Sequence, residues 1–312
     1  MWVEFVVLKE ISESESEVVL ESGSVDALLE PMNARIPFST FALAAVGQLI
    51  AVLFAYRLIA PSVFSLEVSR PFMILVWTFF IGIPLSLFEY LYHRYLLHSA
   101  VLPFLSIMQR AHGTHHGLTN VQAPVRAAEP ERLATVRSEF PVEEHHQEES
   151  MMFPLYSGLI FEGVFLVLIG MPLKLLFREQ PILLSVIFAV ILYYSAYEVW
   201  HALLHLPFDR FWGPKMKNAV IRRIYSFHLM HHWRPTSNQA IVGFWGVATW
   251  DHLFGTHHRP GRMPLDKAEV SYRDSSFRKP RWPISMLDSW QGGLARAARR
   301  TESFLKSLFL RR

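Results

Sequence analysis

Hydrophobic and polar positions divide this chain into long uniform blocks. Residues 1–36 are polar, and rich in Ser and Glu between Ser12 and Ser24, which predicts a disordered acidic tail. Apolar runs follow at 37–56 and 71–92; Arg57 closes the first, and only Glu89 interrupts the second. Each has the roughly 20 residues a helix needs to cross a hydrocarbon core. A polar stretch from Gly117 to Ser150 then precedes two more apolar runs, 151–177 and 181–200, joined by a short turn around Arg178. The pattern predicts an all-α membrane domain over 37–282, with four transmembrane helices in two hairpins. Segments 93–150 and 201–282 would form a helical cap beside it. Glu162, in the middle of the third run, admits two readings: it faces a cavity or partner inside the span, or the helix starts late and 151–161 lies along the membrane surface. Residues 283–312 mix Trp, Leu and Phe with Arg and Lys, and predict a basic amphipathic helix on the inner leaflet. The two hairpins form a weak pseudo-repeat at most.

Composition decides between two soluble domains and one membrane domain. Hydrophobic residues make up 51% and charged residues 18% of the 312, and the mean hydropathy is +0.22; these values favour the membrane domain. A net charge of +3 gives no reason to expect nucleic acid. The absence of cysteine excludes disulfides, thiolate metal sites, iron–sulfur clusters and thiol nucleophiles. The opening MWVEFVVLKEISESESE lacks the basic stretch and long apolar core of a cleaved signal peptide. Apart from Arg57, the basic residues at the hairpin turns are Arg70, Lys174 and Arg178. Arg94, Arg110, Arg126, Arg132 and Arg137, and nearly all basic residues after His201, lie at the opposite ends of the runs. The positive-inside rule therefore puts the cap and both termini in the cytoplasm. The excess of Arg over Lys, and the lack of a retrieval signal at FLRR, point to a bacterial cytoplasmic membrane, or to the endoplasmic reticulum in a eukaryote.

The chemistry lies in the histidines. There are fifteen, none before His93, and ten fall into four clusters: HRYLLH (His93, His98), HGTHH (His112, His115, His116), HALLH (His201, His205) and HLMHH (His228, His231, His232). The first and third clusters follow directly on the second and fourth apolar runs. Residues three and four apart share a helix face, so each cluster is expected to aim its rings at a common point. The five-residue step from His93 to His98 does not close in this way, and predicts that the helix ends or distorts there. Neutral imidazole suits iron, zinc and copper. Ten donors exceed one four-coordinate site and suit two metals with an open position. A single pair of this kind is commonly just a solvated helix face; the signal is the four clusters together. Glu89 and Glu198 lie four and three residues before His93 and His201. They are expected to orient the imidazoles from outside the coordination sphere, direct ligation as in di-iron bundles being the alternative. Asp251, in WDHLFGT, is a third such candidate. His252, His257 and His258 lack the pattern and read as surface or packing residues, and His145 and His146 sit in an acidic solvated run.

In this combination, EYLYHRYLLH, HGTHH, YEVWHALLH, HLMHH and WDHLFGT resemble the fatty acid hydroxylase/sterol desaturase superfamily, over roughly Glu89 to Thr256. The spacings of the first and third clusters are most similar to its fatty acid 2-hydroxylase and sterol oxidase branches. The resemblance implies that the ten clustered histidines hold two iron ions, with zinc able to replace iron in purified protein. It also implies O2 as co-substrate, and hydroxylation or desaturation of a lipid such as a fatty acyl chain or sterol. No histidine precedes His93 to build a bis-histidine haem module, so electrons would come from a separate donor protein. The polar stretch 118–150 departs from the short connection expected of the family. Other classes compatible with histidine-rich membrane chains are a b-type haem protein, a zinc-dependent hydrolase with Glu198 or Glu89 as general base, and a metal transporter with ligands near the midplane.

Overall fold

Each long apolar run folds as a helix, the single-segment structure that pairs its backbone groups internally when no water is available. The computed structural model describes residues 38–119, 121–122, 133–136, 152–206, 211–258, 270–271 and 279–309. The acidic tail 1–36 and the run containing His145 and His146 lie outside the described residues. Among the described residues, four helices are long and apolar enough to cross a membrane: α1 (Phe38–Ile59), α3 (Pro71–Leu97), α5 (Ser157–Leu176) and α6 (Ile182–Leu204). A short helix, α2 (Pro61–Val68), lies between the first two. The others are α4 (Ser106–Leu118), α7 (Ala219–Trp233), α8 (Thr249–Phe254) and α9 (Ile284–Phe309). The sequence pattern did not predict a small antiparallel sheet of three strands, β1 (Val121–Gln122), β2 (Leu133–Val136) and β3 (Val270–Ser271), in that order. Val121 pairs with Val136, and Leu133 with Ser271.

The third span begins at Ser157, later than residue 151. Pro154 explains the delay, because it disfavours helical backbone at Phe153. Glu162 nevertheless lies within the span and is only 2% exposed, so it faces protein. Glu67 of α2 is fully buried; it accepts hydrogen bonds from the N–H groups of Leu183 (3.3 Å) and Leu184 (2.8 Å) and pairs with Lys174 at 2.7 Å. A carboxylate there satisfies donors that the start of α6 leaves free.

Helix α6 forms the centre. Val186, Ala189 and Val190 pack with Ile81 and Leu85 of α3 and Phe165 of α5, while Ile191 and Tyr194 pack with Phe41 and Ala45 of α1. The outer helices turn large apolar side chains away from the protein: Leu43, Ile50 and Phe54 on α1, Phe72 and Leu75 on α3, and Leu168 and Leu175 on α5. Such a surface matches hydrocarbon as its solvent, as expected of a membrane protein. Two further cores lie at the span ends. Leu204, Trp212, Tyr225 and Leu229 form one under α7, and Tyr90, Tyr95 and Ile284 form the other, joining α9 to the end of α3.

Candidate metal centre

The ten clustered histidines form two groups of five. One group is His93, His98, His112, His116 and His231; the other is His115, His201, His205, His228 and His232. Within each group, one ligand atom per residue lies within 4.8 Å of all the others. Helix geometry divides the two HxxHH motifs, so those clusters do not each aim at one point as expected, whereas the pairs His93/His98 and His201/His205 do. His112 and His116, four apart, go to the first group, while His115 goes to the second. On α7 the division is reversed: His228 and His232 join the second group and His231 the first. Positions three and four residues on lie about 60° and 40° to opposite sides of the starting residue. A helix between two ions therefore serves both. The remaining pairs come from the span ends, His93 and His98 from α3 and His201 and His205 from α6. The five-residue step in the first pair is accommodated by a π-helical turn, Tyr92–Leu97, which brings the two rings into a stack 5.3 Å apart.

The donor chemistry fits metal ions. In the first group the Nε2 atoms of His93 and His112, and of His98 and His112, are 3.2 Å apart; His112 and His116 are 3.1 Å apart, and His98 and His231 3.3 Å. In the second group His205 and His228 are 2.8 Å apart, His228 and His232 2.9 Å, and His115 and His232 3.2 Å. Three rings have their proton placed by an outer partner. His93 Nδ1 meets the carbonyl oxygen of Gln239 at 2.6 Å and His231 Nδ1 that of Ser237 at 2.9 Å. Since a carbonyl only accepts, each Nδ1 donates, and in a neutral ring Nε2 is then a bare lone pair. The Thr119 hydroxyl, directed at the carbonyls of His115 and His116, leaves its oxygen to accept from His232 Nδ1 at 2.6 Å. Bare lone pairs facing one another repel unless a cation lies between them. Ligands about 2.1 Å from a shared ion and at right angles are roughly 3.0 Å apart, which matches the spacing seen. Burial, followed by the repulsion of neighbouring imidazoles, holds His98, His112, His115, His116, His228, His231 and His232 well below the usual histidine range, in the neutral form that ligates. Both buried groups can therefore hold metal ions.

The carboxylates support this centre from farther out than imidazole contact. Glu89 accepts from the N–H groups of Ile241 (2.7 Å), Val242 (2.8 Å) and Gly243 (2.8 Å) and from the Tyr193 hydroxyl (2.5 Å). Asp251 accepts from Gln239 N–H (2.9 Å), Ala240 N–H (3.0 Å) and the Thr256 hydroxyl (2.7 Å). Together they hold the segment 237–243, whose carbonyls orient His93 and His231. Gly243 adopts φ +59°, and a Cβ there would lie 2.3 Å from the Val247 carbonyl oxygen, so the turn requires glycine. Arg94 completes the frame, donating to the Thr236 carbonyl at 2.6 Å and to both oxygens of Asp288 on α9 at 2.9 and 2.6 Å. Glu198 is different: Oε1 accepts from Phe153 N–H at 3.3 Å, and Oε2 is buried without a hydrogen bond. It lines a cavity of about 280 Å³ whose wall includes His112 of one group and His201 of the other. Leu97, Phe104, Met108, Met152 and Ile160 make the rest of that wall largely apolar.

His252 and His257 stack on each other, 3.9 Å between ring centres, and belong to neither group; His258 also lies outside both. The sequence pattern does not single out Thr119, Tyr193 or Asp288, and marks Arg94 only as a basic residue beside a span end. Thr119 alone had a local signal, one helical turn beyond His115. Comparison of the chain with known protein families, with curated proteins and with solved structures finds no match. The family likeness rests on the motifs alone.

Proposed function

We propose that this protein is a membrane-bound di-iron oxygenase that hydroxylates or desaturates a lipid, such as a fatty acyl chain or sterol, using O2 and electrons from a separate donor protein. The observation that carries the reading is the single cavity bordered by a ligand from each histidine group and otherwise mostly apolar. Iron held there supplies the oxidising power toward an unactivated C–H bond that no side chain has. The protein contributes binding and orientation. His93, His98, His112, His116 and His231 hold one ion, and His115, His201, His205, His228 and His232 the other. The carbonyls of Gln239 and Ser237 and the Thr119 hydroxyl keep three of those rings in the ligating tautomer. Leu97, Phe104, Met108 and Ile160 receive the apolar chain and exclude water, and Glu198 lines the same wall. Two five-imidazole groups favour iron over a four-coordinate zinc site, and their place at the span ends speaks against both a midplane transporter and a haem held by paired histidines. The four spans would form two hairpins with the cap and both termini cytoplasmic, as the basic residues indicate.

Lipid mass spectrometry of cells expressing wild type or His231→Ala tests the proposal. The expected result is a lipid that gains one oxygen, or loses two hydrogens, with the wild type alone. Identical lipid profiles across several hosts, with metal-loaded wild type present in the membranes, would overturn it.

A further inference from the structure

Helix α9 has three faces with different surroundings. One rests on the protein. Ile284 packs against Tyr90 and Tyr95, Asp288 pairs with Arg94, Gln291 reaches Ser99, and Ala295 and Ala298 are buried. Glu302 accepts from Phe104 N–H at 3.2 Å. These contacts place α9 beside residues 90–106, where the apolar span of α3 ends. The second face is apolar and exposed: Trp290, Leu294, Phe304 and Leu308 are 46–61% accessible. At the helical rotation of 100° per residue they share an arc of about 80°, centred about 120° around from the buried face. The third face carries Ser285, Ser289, Ser303 and Ser307 together with Arg296, all exposed, and exposed Arg300 lies between that face and the apolar stripe.

Water is a poor solvent for Trp, Leu and Phe exposed along one face of a helix. The stripe begins next to the end of α3, an apolar span whose outward side chains nearest that end are Phe79, Phe80 and Ile83. Exposed Trp282 precedes it, and exposed Leu102 and Phe104 lie on the loop that Glu302 holds. A basic border beside an apolar stripe is the pattern that binds an interface of anionic lipid. We propose that α9 lies in the interfacial plane of an anionic phospholipid leaflet, its Trp290–Leu294–Phe304–Leu308 stripe among the acyl chains and Arg296 and Arg300 at the phosphates. The surface is independent of the metal chemistry.

The chain has no cysteine, so single spin labels can be placed in the full-length protein without background. Trp290→Cys, Leu294→Cys, Phe304→Cys and Ser303→Cys are labelled in nanodiscs of phosphatidylcholine alone or mixed with phosphatidylglycerol. The stripe positions should collide several-fold more often with dissolved oxygen than with a water-soluble nickel chelate, and Ser303→Cys should show the reverse. Phosphatidylglycerol should deepen the stripe labels, and the exposed pair Arg296→Glu and Arg300→Glu should abolish that deepening. Equal nickel access at Ser303→Cys and the stripe would overturn the proposal. So would stripe labels shielded from both reagents and broadened by labels on a second copy. Depths unchanged by phosphatidylglycerol in the otherwise unsubstituted chain would overturn the anionic preference.

Discussion

Replacing Glu89 by Gln changes little in shape and tests how the first histidine group is held. Glu89 is 5% exposed, and all four groups around it donate: three backbone N–H groups and the Tyr193 hydroxyl. A carboxylate accepts from all of them; an amide cannot. If the NH2 group takes the place of Oε1 it confronts the N–H groups of Ile241 and Val242, and in the place of Oε2 it confronts that of Gly243. At least one buried donor is left unpaired in either orientation, at about 1–3 kcal/mol. The surviving bonds also lose their charge assistance. The substitution should cost about 3 kcal/mol, lowering the melting midpoint on the order of 5–10 °C. The loosened turn 241–243 adjoins Gln239 and Ser237, so metal binding by His93 and His231 should weaken roughly 10–100-fold. Thermal unfolding in detergent and metal per chain measure both effects, with Tyr193→Phe as the milder comparison, at about 1 kcal/mol. A Glu89→Gln protein that melts with wild type and keeps its full metal would refute the reasoning.

The divided motifs predict separable losses: His228→Ala and His232→Ala should each empty the second group and spare the first, and His231→Ala should do the opposite. Mössbauer spectra of iron-loaded proteins distinguish the two outcomes, and identical residual spectra for His228→Ala and His231→Ala would contradict the grouping. Thr119→Val removes the acceptor of His232 Nδ1; it should weaken the second site roughly 10–100-fold in a metal titration and leave the first unchanged. Asp288→Ala leaves the buried Arg94 with the Thr236 carbonyl, and, because Asp288 is partly exposed, should cost only about 2 kcal/mol on melting. Ala111→Phe fills the cavity beside His112. It should suppress lipid product while metal content stays at the wild-type level, and undiminished product would place the substrate elsewhere.

Much of this architecture was legible in the order of residues. The apolar runs identify the spans because hydrocarbon leaves the backbone no other partner, and the five-residue step from His93 to His98 anticipates the π-helical turn. Other features depend on what lies across from each helix. Offsets of three and four residues mark His112, His115 and His116 as neighbours on one face. Only the position of α4 between α3 on one side and α6 and α7 on the other separates His115 from its companions. Glu89 is one helical turn from His93, which suggested an imidazole contact, yet its partners are backbone groups some 150 residues later in the chain. A backbone carbonyl such as that of Gln239 leaves no residue-type signature at all. The small sheet escaped notice because strands of two and four residues are too short to show alternation.

The two groups are built as one device. Helices α4 and α7 each give an i, i+4 pair to one group and the i+3 residue to the other, in opposite senses, while the ends of α3 and α6 add one pair to each. The five-and-five balance follows from that exchange, and neither helix can shift without disturbing both groups. A rigid pair of ions is useful where a reaction draws on both together, and the cavity meets one ligand of each group along a single wall. That wall lies beside the ends of the apolar spans α3 and α6, which contribute Leu97, Tyr197, Glu198 and His201. Independent structural ions would need neither the shared helices nor the common cavity, and transported ions would need ligands deeper in the spans. The arrangement therefore supports the proposal that two bound ions act jointly on an apolar substrate.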